Sequence, residues 1–590
     1  MKTTIMQEFQ ETADRFKDKP AMMAKVNGQW EAITWKDYHE QVRTTAQAFM
    51  ALGLEKGKSV SILSFNCPQW YISNLAAIFA GGMPSGIYAT SSPEQCKYIA
   101  EHSEANIIVV ENAEQLAKIL QVKEQLPDLK AIVLMNGNAL NEKVIPWNEL
   151  SRFAGAISEE ELNARINEQN PDDCCELIYT SGTTGPPKAV MLSHDNIIWT
   201  ARQLVTEYEV GHDAHALSYL PLSHIYEQIG SYYSSILKGF TVWFAESFEQ
   251  LKDNLVEVRP TLFLGVPRVW EKIEEAMITA GSQNSGLKKK IAAWARKKGL
   301  AGAYAHQDGN PIPFMYGLAG KLVFSKVRQK LGFDRCRYFI SAAAPIGLAT
   351  LEFFSSLEIQ ITEVYGMSEC TGPSTFSVPQ TGKYRIGFVG LAVPGTELAI
   401  AEDGEILTRG RHVFKGYYKN EAATYETIDE NGWLHTGDVG ELGVKGFLKV
   451  TDRKKELIIT AGGENIAPQV IEGKLKMIPE VSQAAVIGDR RKYLSALLSL
   501  KPEQLKDLIR SAGSSAKDMV EAAQCKRCNE FLQNRIDAVN TTLPQVQAIK
   551  KFFVLPSEMT VETGELTPTM KLKRRIIYEK YANEIEQMYA

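Results

Sequence analysis

Short apolar runs alternate with stretches of helical spacing through the first third of the chain. Residues 59–64 form an apolar run that predicts a strand, and residues 68–79 place apolar side chains at helical intervals. The same alternation continues in the run 105–110, the helical stretch 113–126 and the run 130–135. Parallel strands need crossover connections, usually helices. The pattern therefore predicts α/β layers around largely parallel sheets.

The pattern changes further along the chain. Ser193 stands before the helical stretch 197–205, where its hydroxyl suits an N-cap. Residues 287–330 form a long basic stretch of helical spacing, with a Gly/Pro break near residues 309–313. From residue 387 to 450, glycines become frequent and short strand-like runs alternate with turns. This last region predicts a compact β unit.

A charged bridge at residues 451–456 separates the β unit from a final segment with its own strands, at 484–487 and 496–500. We therefore predict two domains, 1–452 and 453–590. The fold class is α/β, with two sheet–helix layers and a β unit in the large N-terminal domain. A small α+β C-terminal domain follows.

Bulk composition is that of a globular protein. The 590 residues are 44% hydrophobic and 23% charged, which is material for several cores of roughly 150 residues each. The formal net charge of −5 argues against a general nucleic-acid surface but leaves room for local basic patches. No apolar run approaches the ~20 residues of a membrane span, and the first residues show no targeting pattern. We expect a cytoplasmic protein, with peripheral membrane contact left open.

The eight cysteines predict no metal centre. Cys525 and Cys528 form a lone CxxC within a predicted helix, 517–538, and no second pair follows at zinc-site spacing. His224 and Glu227 give H-x-x-E, which is not the H-E-x-x-H spacing of a zinc helix. Two thiols at or near the surface are the favoured interpretation of the CxxC.

The stretch at residues 179–188, Tyr-Thr-Ser-Gly-Thr-Thr-Gly-Pro-Pro-Lys, carries the strongest chemical signal. Apolar runs on both sides predict strand, loop and strand. Glycines let successive N–H groups form an anion nest, and hydroxyls and a lysine add donors and charge, which suits a polyphosphate. It is not a Walker A loop, because Pro187 precedes the lysine and Ala189 follows it; a polar turn between strands is the competing interpretation. The candidate phosphate-binding residues are Thr180, Ser181, Gly182, Thr183, Thr184, Gly185 and Lys188.

Five further motifs follow in order: Tyr219-Leu-Pro-Leu-Ser-His224, Tyr365-Gly-Met-Ser-Glu369, His435-Thr-Gly-Asp438, Asp452-Arg-Lys-Lys455 and Leu566-Thr-Pro-Thr-Met-Lys571. Together with the 179–188 loop they resemble the acyl-adenylate-forming, or AMP-binding, superfamily over nearly the whole chain. Residues 265–272, the 287–330 insertion and residues 566–571 resemble its long-chain fatty acid–CoA ligases, the bubblegum relatives in particular.

The resemblance implies a two-step ligase that uses ATP, Mg²⁺ and coenzyme A. A fatty acid and ATP would give acyl-AMP and pyrophosphate, and acyl-AMP and coenzyme A would then give acyl-CoA and AMP. Such chemistry depends on positioning and charge neutralisation. The 180–188 loop would hold the β- and γ-phosphates, and Glu369 would hold Mg²⁺, with the Thr180 hydroxyl as a second metal contact. Taken alone, Glu369 would be an exposed turn acid.

The adenosine half of the nucleotide has its own expected contacts. Tyr365 would offer an aromatic face to adenine, and Gly366 would let the backbone lie against the nucleotide. Ser368 would bond the α-phosphate. Asp438 would bind the ribose hydroxyls, where the alternative is a residue of a simple turn. Arg453 would contact ribose or phosphate, where the alternative is a solvated charge.

The remaining implied roles concern movement and the acid. Lys571 would be the mobile catalytic lysine, although a solvated basic helix start is the plain alternative. Lys455 occupies the hinge position about which the C-terminal domain rotates, bringing residues 461–464 towards coenzyme A. His224 would orient the carboxyl group, against the alternative of a core histidine.

The acyl pocket is expected from the segment after His224, although a plain core competes for several of its residues. Gln228 stands where some relatives carry a gating tryptophan. Two other functions remain open: a fatty acyl-AMP ligase that loads a carrier-protein thiol, and a non-catalytic nucleotide-binding relative. The expected pocket residues are Tyr232, Tyr233, Ile236, Leu237, Gly239, Phe263, Leu264 and Val266.

Overall fold

The structure is a computed structural model that describes residues 2–137, 144–180, 186–283, 285–461, 464–561, 563–567 and 571–590, without the side chains of Lys455 and Asn465. Its strands are β1 Pro20–Val26, β2 Gln29–Thr34, β3 Ser59–Leu63, β4 Met83–Ile87, β5 Ala105–Val110, β6 Ala131–Leu134, β7 Val144–Pro146, β8 Cys174–Thr180, β9 Lys188–Ser193, β10 His215–Ser218, β11 Thr241–Phe244, β12 Leu262–Gly265, β13 Tyr338–Ser341, β14 Ile361–Met367, β15 Gly372–Phe376, β16 Leu391–Ala392, β17 Glu397–Ile400, β18 Glu405–Arg409, β19 Gly416–Tyr417, β20 Leu434–Leu442, β21 Leu448–Arg453, β22 Ile458–Ile459, β23 Asn465–Ile466, β24 Val481–Ile487, β25 Leu494–Leu500 and β26 Ile549–Val554.

The α-helices are Ile5–Phe16, Trp35–Ala51, Pro68–Phe79, Pro93–His102, Ala113–Val122, Ser151–Ala154, Glu159–Asn167, His194–Glu207, Ile225–Glu227, Ser234–Lys238, Leu251–Val258, Pro267–Ser282, Gly286–Asp308, Tyr316–Ala319, Ser325–Lys330, Leu348–Ser355, Glu421–Thr427, Pro468–Leu475, Leu505–Ser511, Met519–Gln524, Lys526–Asn540, Arg574–Lys580 and Ala582–Tyr589. Two π-helical turns, Gln228–Tyr233 and Gly320–Phe324, join neighbouring helices.

Two large sheets form the N-terminal region. One has eight strands in the order β19-β9-β8-β4-β3-β5-β6-β7, and the other has nine in the order β16-β15-β14-β13-β12-β10-β11-β1-β2. Their central pairs, such as β3–β4, β3–β5 and β12–β13, are parallel, whereas β8–β9 and β14–β15 are antiparallel. The predicted α/β layering is confirmed.

Helix Pro68–Phe79 shows why the layers hold together. Nearly all of its residues are buried, because it has apolar side chains on every face and packs against helix Trp35–Ala51 as well as β3 and β4. One hydrophobic cluster runs from Ile5 to Leu434 through both layers. The strand predicted at residues 59–64 is observed as Ser59–Leu63, and the predicted cap at Ser193 is also observed, with the Asn196 N–H donating to its hydroxyl at 3.1 Å.

A four-stranded antiparallel sheet, β17-β18-β20-β21, forms the predicted β unit. The last region has its own sheet, β24-β25-β26, and its own hydrophobic clusters within residues 458–588. The boundary between residues 452 and 453 stays a prediction.

One detail of the C-terminal region differs from expectation. The helix predicted at 517–538 is two helices that meet at Cys525, which caps Lys526–Asn540. The end of the chain forms two short helices, Arg574–Lys580 and Ala582–Tyr589. Among the helices of the described residues, none combines the length and apolarity that crossing a bilayer requires.

Candidate active site

The 179–188 loop joins two paired strands, as predicted. β8 and β9 run antiparallel, with Thr180 directly opposite Lys188, and the Thr180 hydroxyl donates to the Lys188 carbonyl at 3.4 Å. The two ends of the loop are therefore fixed by a two-strand ladder. The predicted phosphate-binding residues Ser181, Gly182, Thr183, Thr184 and Gly185 lie outside the described residues.

Tyr417 connects the loop lysine with the predicted metal ligand. β19 pairs with β9 and places this ring beneath Lys188, whose Nζ lies 4.6 Å from the ring centroid. The Tyr417 hydroxyl donates to Oε1 of Glu369 at 2.8 Å. Glu369 is only 8% exposed, so it is not the exposed acid of the alternative interpretation. Two residues separated by 181 positions are thus held against one aromatic ring.

The residues present fit magnesium. Within the described part of the chain, no group of three His, Cys, Asp or Glu side chains could hold a metal ion. Mg²⁺ is commonly held by one or two carboxylates, with substrate phosphates and water completing its octahedron. Glu369, beside the phosphate-loop lysine, is suited to that arrangement.

Asp438 and Arg453, the two residues predicted to contact the ribose, are neighbours in the structure. They face each other across β20 and β21, with Arg453 Nε 3.2 Å from Asp438 Oδ1. The Tyr365 hydroxyl donates to Asp438 Oδ2 at 2.9 Å. Burial raises the pKa of Asp438, and the Arg453 guanidinium opposes that shift. Three sequence-predicted residues from three motifs therefore meet at one carboxylate.

Gly366 is required by the packing of the strands themselves. A Cβ at this position would lie 1.8 Å from the Gly372 carbonyl oxygen of β15, so no other residue fits without moving the strand. Ser368 follows in a buried turn beside Glu369. In the turn at residues 341–345, Ala343 adopts φ +72°, a left-handed conformation that is unusual for a residue with a Cβ.

Lys571 reaches this group of charges from the C-terminal region. Its backbone N–H donates to the Thr567 hydroxyl at 3.0 Å, and the Thr567 N–H donates back to its carbonyl at 2.8 Å. Burial lowers the pKa of Lys571 to about 8, with the Arg453 guanidinium acting in the same direction, while Asp438 and Glu369 oppose the shift. Lys571 thus lies within electrostatic reach of Asp438 and Arg453 and of Glu369, the predicted metal ligand.

An ionic anchor positions the segment that carries Lys571. Arg574 donates to Glu472 through two nitrogens, both at 2.8 Å, and to Glu456 at 3.1 Å. All three side chains are largely buried. Glu456 follows the predicted hinge residue Lys455, whose side chain lies outside the described residues, as do Gly462 and Gly463.

His224 stands at the wall of a cleft beside these charges. Its Nδ1 accepts from the Tyr226 N–H at 3.1 Å, so the neutral ring carries its proton on Nε2. Burial, with a smaller contribution from Lys571, lowers the pKa of His224 to about 4. The cleft is lined by His224, Leu204, Ile225, Tyr226, Ile229, Gly230, Leu264, Ile340, Ala342, Ala343, Val364, Gly366, Met367, Gly372 and Pro373.

The expected acyl-pocket residues divide between this cleft and the core. Leu264 lines the cleft, whereas Tyr232, Tyr233 and Ile236 are fully buried in the main cluster. Gly239 leaves no room for a chain, because a Cβ there would lie 2.1 Å from the ring of Phe16. Its φ of +73° instead ends helix Ser234–Lys238.

Gln228, at the gate position, belongs to a buried polar network. Its Nε2 donates to Glu176 at 3.1 Å and to the Leu222 carbonyl at 2.9 Å. Asn74 and the Tyr233 hydroxyl also donate to Glu176, which has no exposed surface. Burial raises the pKa of Glu176 to about 8.

Comparison with known families decides the class. The sequence model of the AMP-binding enzyme matches residues 9–418, and that of the AMP-binding enzyme C-terminal domain matches residues 455–590. The chain belongs to the AMP-binding enzyme family. The resemblance of the six motifs is thereby confirmed.

Named relatives of this AMP-binding enzyme are similar over nearly the whole chain. It is 43% identical to the long-chain-fatty-acid–CoA ligase ACSBG2 of Xenopus laevis, over 99% of this chain and 84% of that protein. It is 41% identical to the long-chain-fatty-acid–CoA ligase ACSBG1 of Homo sapiens, over 99% of this chain and 85% of that protein.

Solved structures share the fold of this AMP-binding enzyme. The anthranilate CoA ligase AuaEII in complex with anthranoyl-AMP superposes with a TM-score of 0.75 at 18% identity, over 99% of this chain and 98% of that one. The A domain of carboxylic acid reductase from Segniliparus rugosus, in complex with AMP and a carboxylic acid, gives the same TM-score over 99% and 94%. The predicted adenylate-forming architecture is confirmed.

Proposed function

We propose that this protein is a long-chain fatty acid–CoA ligase dependent on ATP and Mg²⁺. A fatty carboxylate attacks the α-phosphorus of ATP and displaces pyrophosphate, and the thiol of coenzyme A then attacks the acyl carbonyl and releases AMP. The observation that carries the proposal is the convergence of Lys571, Asp438, Arg453 and Glu369, which come from four separate motifs. Long-chain ligases as relatives at over 40% identity support the choice of acid.

Each charge has a task in the first step. Lys188 and the 180–185 turn hold the outer phosphates, and Glu369, with Thr180, holds Mg²⁺, which neutralises phosphate charge when bound. Asp438 and Arg453 hold the ribose. The protonated Lys571 joins the carboxylate to the α-phosphate and offsets the repulsion between two anions.

The acid enters the cleft beside His224. The Nε2–H of the neutral imidazole is a donor for the carboxyl group, and the cleft walls beyond it are mostly apolar, including Ile229, Leu264 and Val364. Tyr365, Gly366 and Ser368 border the nucleotide side. An apolar cleft with a few donors at its mouth is suited to an amphiphilic acid.

The second step belongs to a rearranged C-terminal domain. We place its boundary between residues 452 and 453, with Lys455 as the hinge and residues 461–464 as the segment that approaches coenzyme A. Hinge motions of this kind remove one catalytic group and introduce another. A cytoplasmic location belongs to the same proposal and is tested by cell fractionation.

Lys571→Ala separates the two steps. Loss of the bridging cation should reduce acyl-AMP formation by at least about a hundredfold, whereas thioester formation from supplied acyl-AMP should remain within a few-fold of the parent. Both are measured by quenched-flow detection of acyl-AMP and acyl-CoA. Lys573→Ala, two residues along the same segment, is the matched control and should leave both steps intact. Equal loss of both steps in Lys571→Ala would contradict the assigned role.

A pyrophosphate-release screen tests the substrate class. We expect release with long-chain acids, and acyl-CoA only when free coenzyme A is present. Preference for acetate or aromatic acids would refute the long-chain assignment. Acyl-AMP that reacts with a carrier-protein thiol but not with coenzyme A would favour the carrier-loading alternative, and ATP binding without pyrophosphate release would favour the non-catalytic one.

A further inference from the structure

The helical insertion carries a charge opposite to that of the rest of the molecule. Residues 286–330, which we call the basic hairpin, contain ten Lys and Arg residues and a single acid, Asp308, for a formal charge of +9 in a chain of net charge −5. Helix Gly286–Asp308 forms one arm, and residues 316–330 form the other. Such a concentration of one sign creates a local field that attracts anions.

The lysines of the basic hairpin are not neutralised by the protein. None of its eight lysines forms an ion pair within the described residues, and seven of the eight are exposed. The hairpin's one ion pair among those residues joins Arg328 to Glu358 at 3.7 Å. The positive charge therefore faces outward. The lysines are Lys288, Lys289, Lys290, Lys297, Lys298, Lys321, Lys326 and Lys330.

The turn of the basic hairpin exposes large apolar side chains. Phe314 is 85% exposed, the highest fraction among the large hydrophobic residues that the structure describes, and Ile312 is 51% exposed. Met315, Leu318 and Leu322 are each between 41% and 42% exposed and follow one another at helical spacing. We call these five residues the apolar tip. Contiguous exposed apolar groups of this kind mark contact surfaces.

The exposure of the apolar tip does not result from poor packing of the segment. The opposite side of the same segment is fully used: Ala319 and Phe324 are buried, and the Tyr316 ring lies where a Cβ on Gly302 would come within 2.2 Å. A Cβ on Gly299 would likewise lie 2.1 Å from the Ser356 carbonyl oxygen and 2.9 Å from the Phe324 ring. The hairpin thus has a packed inner side and a second apolar side that is exposed to solvent.

We propose that the basic hairpin docks this protein on a lipid surface that contains anionic headgroups. The apolar tip enters the boundary between headgroups and acyl chains, and the surrounding lysines face the headgroup phosphates. Apolar burial combined with attraction to anionic lipid is the physical basis of interfacial binding. This inference goes beyond the proposed catalytic function and does not depend on it.

Charge and shape favour this occupant over others. A nucleic acid or an acidic protein would pair with the lysines, but neither would account for the exposed apolar side chain of Phe314. A second copy of the same surface would bring two charges of +9 together, which repel each other. A lipid surface uses both features at once.

Vesicle flotation with the full-length protein tests the proposal. We expect binding to phosphatidylcholine vesicles that contain phosphatidylglycerol, little binding to phosphatidylcholine alone, and release as salt is raised. Phe314→Ser combined with Leu318→Ser should weaken binding about tenfold by removing the inserted groups. Lys321→Glu combined with Lys326→Glu should weaken it to a similar degree by reversing charge.

Matched controls come from an exposed site elsewhere. Val444 is 68% exposed and Lys445 is its exposed neighbour, so Val444→Ser and Lys445→Glu should bind vesicles like the parent. Melting temperature and pyrophosphate release with detergent-dispersed fatty acid should be unchanged in every variant, because all the altered side chains face solvent. Because flotation needs no catalysis, a failed ligase assay and a failed docking assay are distinguishable.

Three outcomes would overturn the proposal. One is equal binding to neutral and anionic vesicles. Another is binding that neither pair of substitutions reduces. The third is binding to a different partner: the parent does not float with anionic vesicles, and it instead binds DNA or forms a dimer through the same residues.

Discussion

Single residues explain how distant motifs act together. The ring of Tyr417 lies under the Lys188 ammonium while its hydroxyl holds Glu369. Neither contact was predicted from the sequence, because Tyr417 belongs to no recognisable motif. Its position depends on the pairing of β19 with β9, two strands separated by more than 200 residues.

Tyr417→Phe should isolate the role of the hydroxyl. Removing a hydrogen bond to a charged carboxylate costs about 1.5–3 kcal/mol, so acyl-AMP formation should fall roughly tenfold to a hundredfold, with a higher Mg²⁺ requirement. Initial rates of pyrophosphate release across Mg²⁺ concentrations measure both. Tyr418→Phe removes a hydroxyl that donates to Glu104 at 2.9 Å and serves as the matched control. An unchanged Mg²⁺ dependence in Tyr417→Phe would show that the bond does not position the metal ligand.

Elements show what the sequence could and could not predict. Periodicity identified the strand at Ser59–Leu63 and the helix at Pro68–Phe79. Motif order predicted that Lys571 and Asp438 belong to one site, and the two side chains are close enough to interact electrostatically. The acyl pocket was harder to predict from the sequence, because apolar residues at the same spacing can either line a pocket or fill a core. Tyr232 is buried in the core, and the ring of Phe16 lies against Gly239, which was expected to line the pocket. The sequence gives no sign of this contact, because the two residues lie far apart along the chain.

The π-helical turn Gln228–Tyr233 controls the shape of the cleft. Gly230 faces Leu264, and a Cβ there would lie 2.3 Å from Leu264 Cδ1. Both residues line the cleft beside His224. A π-helical turn within an otherwise α-helical segment is a frequent feature of functional sites.

Gly230→Ala should therefore push Leu264 into the cleft. Overpacking of this size costs about 1–3 kcal/mol, and we expect kcat/KM for a long-chain acid to fall roughly tenfold relative to a short one. A competition assay with mixed acids measures the ratio. Adding Leu264→Ala should restore the long-chain preference, and Gly281→Ala, at a helical glycine with open space around it, is the control. Equal loss for all chain lengths would place the acyl chain elsewhere.

At the scale of the whole molecule, ion pairs join the C-terminal region to helix Pro267–Ser282. Lys501 contacts Glu275, and Lys476 lies 4.0 Å from Glu271. Lys501 is mostly buried, so its pair is less screened by solvent than an exposed one. These contacts belong to the arrangement in which Lys571 is at the site.

Glu275→Lys should favour departure of the C-terminal region. Replacing attraction by repulsion should slow acyl-AMP formation about tenfold and leave the thioester step unchanged or faster. The reciprocal pair Glu275→Lys with Lys501→Glu should recover most of the first step. Single-turnover measurements of each step provide the readout. No change in the balance between the two steps would mean that the ion pair does not bias the arrangement.

Three interior carboxyl groups make the folded state an alkali-sensitive one. Burial raises the pKa of Glu176 and Glu363 to about 8 and that of Glu227 to about 7. A raised carboxyl pKa means that the native chain holds protons the unfolded chain has released, so the stabilisation present below pH ~4.5 fades as pH rises through 7 to 8.

Calorimetry from pH 6 to 8.5 should show a melting point that falls by a few degrees. Glu176→Gln, which cannot ionise yet keeps similar bonding, should flatten that decline; an identical slope would assign the decline to other groups. Alkaline surroundings would then weaken the part of the core that holds Gln228 in place.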